Sequence, residues 1–178
     1  MKISSMDNLN LSDYNKVTEI SLHNNRLTSI PDSISLLTKL KELYLGNNQI
    51  QVIPDSISSL KELQILYLSN NQIQVIPDSI SSLKELQALC LHYNQIQVIP
   101  DSISSLNELQ ILDLGNNQIQ LLPKLPKTVI YLNIKNNSNI FDINIDKSVN
   151  YKEYKEYYKK QQLIIKSKTT KSSPSKKF

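Results

Sequence analysis

The chain has 178 residues, with 20 Lys and Arg against 16 Asp and Glu, two glycines and one cysteine. That length allows one compact domain or one short repeat array. Gly46 and Gly115 are too few for a glycine-rich phosphate loop, and Cys90 alone excludes an intramolecular disulfide or a four-cysteine metal site.

The charge is uneven along the chain. Residues 1–146 carry 10 Lys/Arg against 14 Asp/Glu, net −4, and residues 147–178 carry 10 Lys against 2 Glu, net +8. A mildly acidic body with a basic end differs from an evenly basic nucleic-acid binder. The opening MKISSMDNLNLSD lacks the apolar core of a secretory leader, and no stretch approaches the ~20 apolar residues of a membrane span. A cytoplasmic protein without a membrane span is expected. Residues 1–16, short and polar, are assigned to an N-terminal cap segment.

From residue 17 a repeat takes over, spanning 17–145 in about six units. The string QVIPDSIS occurs at 51–58, 74–81 and 97–104, each copy 23 residues after the last, and Pro31, Pro54, Pro77, Pro100 and Pro123 keep the register. Within it, Leu40, Leu43, Leu45, Ile50, Ile53, Ile57 and Leu60 recur as Leu63, Leu66, Leu68, Ile73, Ile76, Ile80 and Leu83, and onward. The L-x-L pair puts two side chains on one face of a strand. One such strand cannot bury its apolar face alone, so stacked copies must share a core. Asn25, Asn48, Asn71, Asn94, Asn117 and Asn137 stand where each unit leaves its strand, and their amides can satisfy backbone groups from coil to coil. Asp55, Asp78 and Asp101, each after a proline, are predicted to cap a short helical turn.

The pattern LxxLxLxxNxIxxIPxxIxxLxx resembles the 23-residue typical class of leucine-rich repeats. The resemblance implies an α/β repeat solenoid: a right-handed superhelix with a concave parallel sheet and short helical or irregular convex segments. The IPxxIxxL return segment is similar to that of Ras-group and Ras-suppressor-type repeats, which would imply an adaptor or regulator of a small GTPase. LPKLPKTVIYL at 122–132 looks like the shorter LPxLP repeats of bacterial effectors; those with ubiquitin-ligase activity carry a separate catalytic domain, for which nothing after residue 146 has the length or a cysteine.

Beyond the repeats, residues 146–165 are assigned to a C-terminal capping helix, since YKEYKEYYKKQQLII places Tyr151, Tyr154, Tyr158, Gln162 and Ile165 on one helical face. Residues 166–178, KSKTTKSSPSKKF, read as a disordered basic tail. Such a tail can make weak, non-specific contact with nucleic acid or acidic surfaces.

Candidate binding residues emerge from where near-identical units disagree. Across residues 41–109 three successive units differ at eight places, and seven fall in the x positions of LxxLxLxx. Core positions resist change for packing reasons, yet the polar residues of the return segment scarcely change either. Variation on a fixed scaffold is where recognition sits. The expected partner-binding set on the concave face is Glu42, Tyr44, Ile65, Tyr67, Cys90, His92, Tyr93, Asp113 and Asn133. The blander account is that exposed tyrosines merely suit a pleated surface.

Catalysis is not expected. Cys90 and His92 share a strand face but lie ~6.6 Å apart along it, with no residue to orient the imidazole and no oxyanion donors. His23 and His92 stand three coils, ~15 Å, apart, too far to share a metal. A non-enzymatic, monomeric protein-binding module without cofactor or metal is therefore the expectation, with an outer-face structural scaffold as an alternative.

Overall fold

A computed structural model describes residues 2–3 and 11–137. The expected capping helix at 146–165 and basic tail at 166–178 lie outside the described residues. Strands are short because each coil gives only the x-L-x of LxxLxLxx to pairing. β1 is Lys2–Ile3, β2 Glu19–Ser21, β3 Glu42–Tyr44, β4 Ile65–Tyr67, β5 Ala88–Cys90, β6 Ile111–Asp113 and β7 Tyr131–Asn133. They form one seven-stranded sheet in chain order, and every pairing is parallel. The register follows the repeat: Leu43 pairs Leu66 and Leu66 pairs Leu89. The shorter sixth unit stays in step, with Leu112 opposite Leu132. A repeat solenoid built on a parallel sheet is what these pairings describe.

Each strand buries its middle residue and leaves its flanks on the open face of the sheet. Leu43, Leu66, Leu89 and Leu112 are fully buried, as are Ile57, Ile80 and Ile103 from the return side. These residues belong to one continuous cluster running the length of the stack. Burying one such side chain contributes roughly 1.5–3 kcal/mol. The first coil is the loosest. An apolar cavity of about 300 Å³ opens among Ile20, Leu22, Leu27, Ile30, Ile34 and Leu43, and Leu22 keeps 9% exposure where Leu68 and Leu91 keep none.

The return segments are five-residue 3-10 helices at Asp32–Leu36, Asp55–Ser59, Asp78–Ser82 and Asp101–Ser105. The predicted aspartate caps are not made. The cap position belongs to the preceding proline, extended at φ −73° in Pro54, with no side-chain cap. Its carbonyl accepts the Ile57 N–H at 3.1 Å, and the aspartate, one residue too late, sits inside the first turn. Asp32 instead accepts from Ser56 Oγ of the next coil at 2.8 Å.

The asparagine ladder binds coil to coil. Asn71 Oδ1 accepts the Ile50 N–H at 2.9 Å, and Nδ2 donates to the Leu45 and Leu68 carbonyls at 3.0 Å each. Asn94 and Asn117 repeat the pattern, and Asn48 and Asn137 make its terminal versions. Asn25 departs from it. Exposed in the first repeat, it makes no ladder bond through its side chain among the described residues, and its backbone N–H donates to Asn48 Oδ1 at 3.0 Å. The sequence reading also missed β1, which extends the sheet beyond the first repeat through Lys2↔Glu19 and Ile3↔Ile20.

Candidate partner-binding face

Three columns of side chains run across the open face. Pairing puts Glu42 beside Ile65 and then Ala88 and Ile111; the next column is Ser21, Tyr44, Tyr67, Cys90, Asp113 and Asn133. Two residues further along each coil come His23, Gly46, Ser69, His92, Gly115 and Lys135.

The columns interlock diagonally, a feature that sequence spacing does not announce. A Cβ added at Gly46 would lie 2.6 Å from Cε1 of Tyr67, and one at Gly115 would lie 2.7 Å from Nδ2 of Asn133. Thus Tyr67 and Asn133 lean back over the glycine of the preceding coil. Tyr44 leans likewise toward His23, with ring centroids 5.7 Å apart. The outcome is a continuous ring cluster. His23 meets Tyr67 at 5.5 Å, Tyr44 meets Tyr67 at 6.4 Å, Tyr67 meets His92 at 5.9 Å, and His92 meets Tyr93 at 5.7 Å. Ser69 does not present itself on this face. It is fully buried, and its Oγ lies 2.8 Å from His92 Nδ1.

Of the other predicted residues, Glu42 accepts the Tyr44 hydroxyl at 2.7 Å. Burial first, and the Glu42 carboxylate second, push the Tyr44 phenol up to about 12. Asp113 Oδ1 accepts from Asn133 Nδ2 at 2.8 Å and from the Gly115 N–H at 3.2 Å, while Oδ2 stands 3.1 Å from His92 Nδ1. Ile65 and Cys90 are half-buried and Tyr93 is exposed. The structure therefore brings Tyr44, Tyr67, His92 and Tyr93 into contact and links Asp113 to both His92 and Asn133. Sequence reasoning missed the seats, Gly46 and Gly115, and the buried support, Ser69. The signal was a change of residue size one coil away, on the diagonal rather than down the column.

The leucine rich repeat family model matches residues 15–73 and 61–119. The chain belongs to the leucine-rich repeat family. Solved structures agree. It is similar to the ectodomain of the receptor kinase SOBIR1 from Arabidopsis thaliana at 30% identity and TM-score 0.62, covering 68% of this chain and 70% of that one. A leucine-rich repeat protein of Leptospira interrogans matches at 28% identity and TM-score 0.52, over 69% of this chain and 37% of that chain. The ectodomain of the Arabidopsis receptor kinase GASSHO1/SCHENGEN3, solved in complex with CASPARIAN STRIP INTEGRITY FACTOR 2, matches at 36% identity and TM-score 0.58. That match covers 65% of this chain and 15% of the receptor's. The chain thus spans little more than a third of the Leptospira protein and a smaller share of this receptor. No curated protein matches it significantly.

This leucine-rich repeat protein carries a Ser–His–Asp set, Ser69, His92 and Asp113, but not the geometry of a nucleophile triad. Both contacts converge on Nδ1 of the imidazole, whereas a triad uses the two ring nitrogens separately. The serine is also sealed from solvent. Cys90 is no better placed for attack. Burial, and then Asp113, push its thiol up to about 11, so at neutral pH it stays protonated and inert. Among the described residues no three metal-capable side chains gather, and no helix is long and apolar enough to cross a membrane.

Proposed function

We propose that this protein is a non-enzymatic interaction module that captures a partner protein on the open face of its sheet, the face expected to line the concavity. Leucine-rich repeat domains are in general protein-interaction modules. The observation that carries the finer reading is the ring cluster of His23, Tyr44, Tyr67, His92 and Tyr93 on one face. Large aromatic side chains dominate binding energies where they sit at an interface centre. The cluster lies where the repeats differ from one another, while the return segments stay nearly constant. The unpaired Cys90 supports a cytoplasmic setting.

Replacing Tyr44, Tyr67 and His92 together with alanine tests the reading. Each tyrosine at an interface centre contributes about 2 kcal/mol, so partner capture from the native cell falls more than tenfold while circular dichroism stays that of the parent. Unchanged capture overturns the proposal.

A second reading, scaffolding through the return side, is favoured by a row of exposed apolar residues. Val52, Val75 and Val98 are 64%, 63% and 66% exposed, and Leu121 continues the row at 48%. Val75 and Val98 join in a parallel backbone bridge. Substituting the three valines with serine, or changing Gln51, Gln74 and Gln97, would disrupt assemblies only if this surface is the one in use.

A further inference from the structure

We propose that His92, Tyr67 and Tyr93, gathered beside Asp113, form a subsite for a positively charged side chain, arginine or lysine, of the partner segment. The inference rests on the partner-capture reading and names the chemistry that the face selects. His92 Nδ1 is hydrogen-bonded to Ser69 Oγ at 2.8 Å and stands 3.1 Å from Asp113 Oδ2. Nε2, across the ring, makes no hydrogen bond to a described residue. The imidazole, 23% exposed at its side chain, presents this edge beside the carboxylate, open to a partner group.

Charge narrows that group to a cation. The hydrogen bonds to Asp113 come from neutral N–H donors, and no Lys or Arg of the described residues pairs with it. Lys135, one coil on from Asp113 in the neighbouring column, makes no ion pair with this carboxylate; Cys90, beside Asp113 in the sheet, is protonated. An anionic side chain would be repelled by this carboxylate, and an apolar one would gain nothing from it. A guanidinium or ammonium group is attracted by it and gains from the electron-rich rings of Tyr67 and Tyr93 flanking the imidazole at 5.9 and 5.7 Å.

Tyr93 adds an independent reason. The residue that turns the chain out of each strand is left-handed, and in five coils it is asparagine: Asn24, Asn47, Asn70, Asn116 and Asn136, with φ between 53° and 60°. Only in this coil is it tyrosine, at φ 55° and 55% exposed. A bulky residue gains nothing for folding in that conformation. Recognition accounts for it.

The test is an NMR titration of the full chain, with labelled histidine and tyrosine rings, at slightly alkaline pH. The probes are the capped tripeptides Ac-Gly-Arg-Gly-NH2, Ac-Gly-Glu-Gly-NH2 and Ac-Gly-Leu-Gly-NH2. The arginine peptide is expected to shift His92 Nε2 and the Tyr67 and Tyr93 ring signals saturably, and the other two are not. Tyr93→Asn should weaken arginine-peptide binding about fivefold or more while raising the thermal midpoint, because asparagine suits the turn. No saturable shift, an equal response to the glutamate or leucine peptide, or undiminished binding by Tyr93→Asn would overturn the subsite. If the alanine triple variant loses its partner yet the parent ignores the arginine peptide, the subsite fails and partner capture stands. If the parent binds the peptide but the triple variant keeps its partner, partner capture is what fails.

Discussion

Asn71 shows how much a single amide carries. Its three strong hydrogen bonds satisfy one N–H and two carbonyls drawn from two coils, all in a buried setting. Asn71→Ala leaves the Ile50 N–H buried and unpaired, while the Leu45 and Leu68 carbonyls each keep one donor, Asn48 Nδ2 and Asn94 Nδ2. Urea unfolding should show a loss of about 1–3 kcal/mol, and Asn71→Asp should not restore the bonds to the Leu45 and Leu68 carbonyls, since a carboxylate cannot donate. Cys90 gives a residue-scale prediction with a pH signature. Its thiol is held near 11 in the fold against 9.0 in the free side chain, so the folded chain binds that proton more tightly. Stability from this group is complete below pH 9 and is lost as pH climbs toward 11. Alkylation by iodoacetamide should accordingly be slow at pH ~8 and accelerate toward that upper value in the native protein, while the urea-unfolded chain reacts readily. Equal rates in both states would contradict this assignment.

At the scale of the element, each coil is stable only through its neighbours, so position in the stack sets the cost of damage. Leu89, fully buried between coils on both sides, should lose about 3–5 kcal/mol on change to alanine. Leu22, which borders the first-coil cavity, should lose distinctly less, and paired urea titrations compare the two. This architecture was legible in the sequence because the leucine spacing leaves one way to hide those side chains. The ladder was legible for the same reason, except at Asn25, whose side chain makes no ladder bond among the described residues and whose backbone N–H donates to Asn48 Oδ1 instead. The aspartate caps were misread because a 3-10 helix begins one residue earlier than the sequence suggested, with proline taking the cap. The diagonal seating of Tyr67 over Gly46 was not legible at all. It depends on how side chains lean between coils, whereas repeat spacing records only what aligns down a column. Ser69 was missed for that reason, since its partner is the next coil's His92.

Across the whole molecule, core and ladder follow one pattern from coil to coil, while the side chains of the open face differ from coil to coil. Two surfaces compete for the partner: the ring cluster on the sheet and the valine row on the return side. Site-specific photo-crosslinking separates them most directly. With benzoylphenylalanine placed in turn at positions 67 and 52 of the full chain in its native cell, the account predicts a partner adduct from 67 and none from 52. Adducts from 52 alone would contradict it.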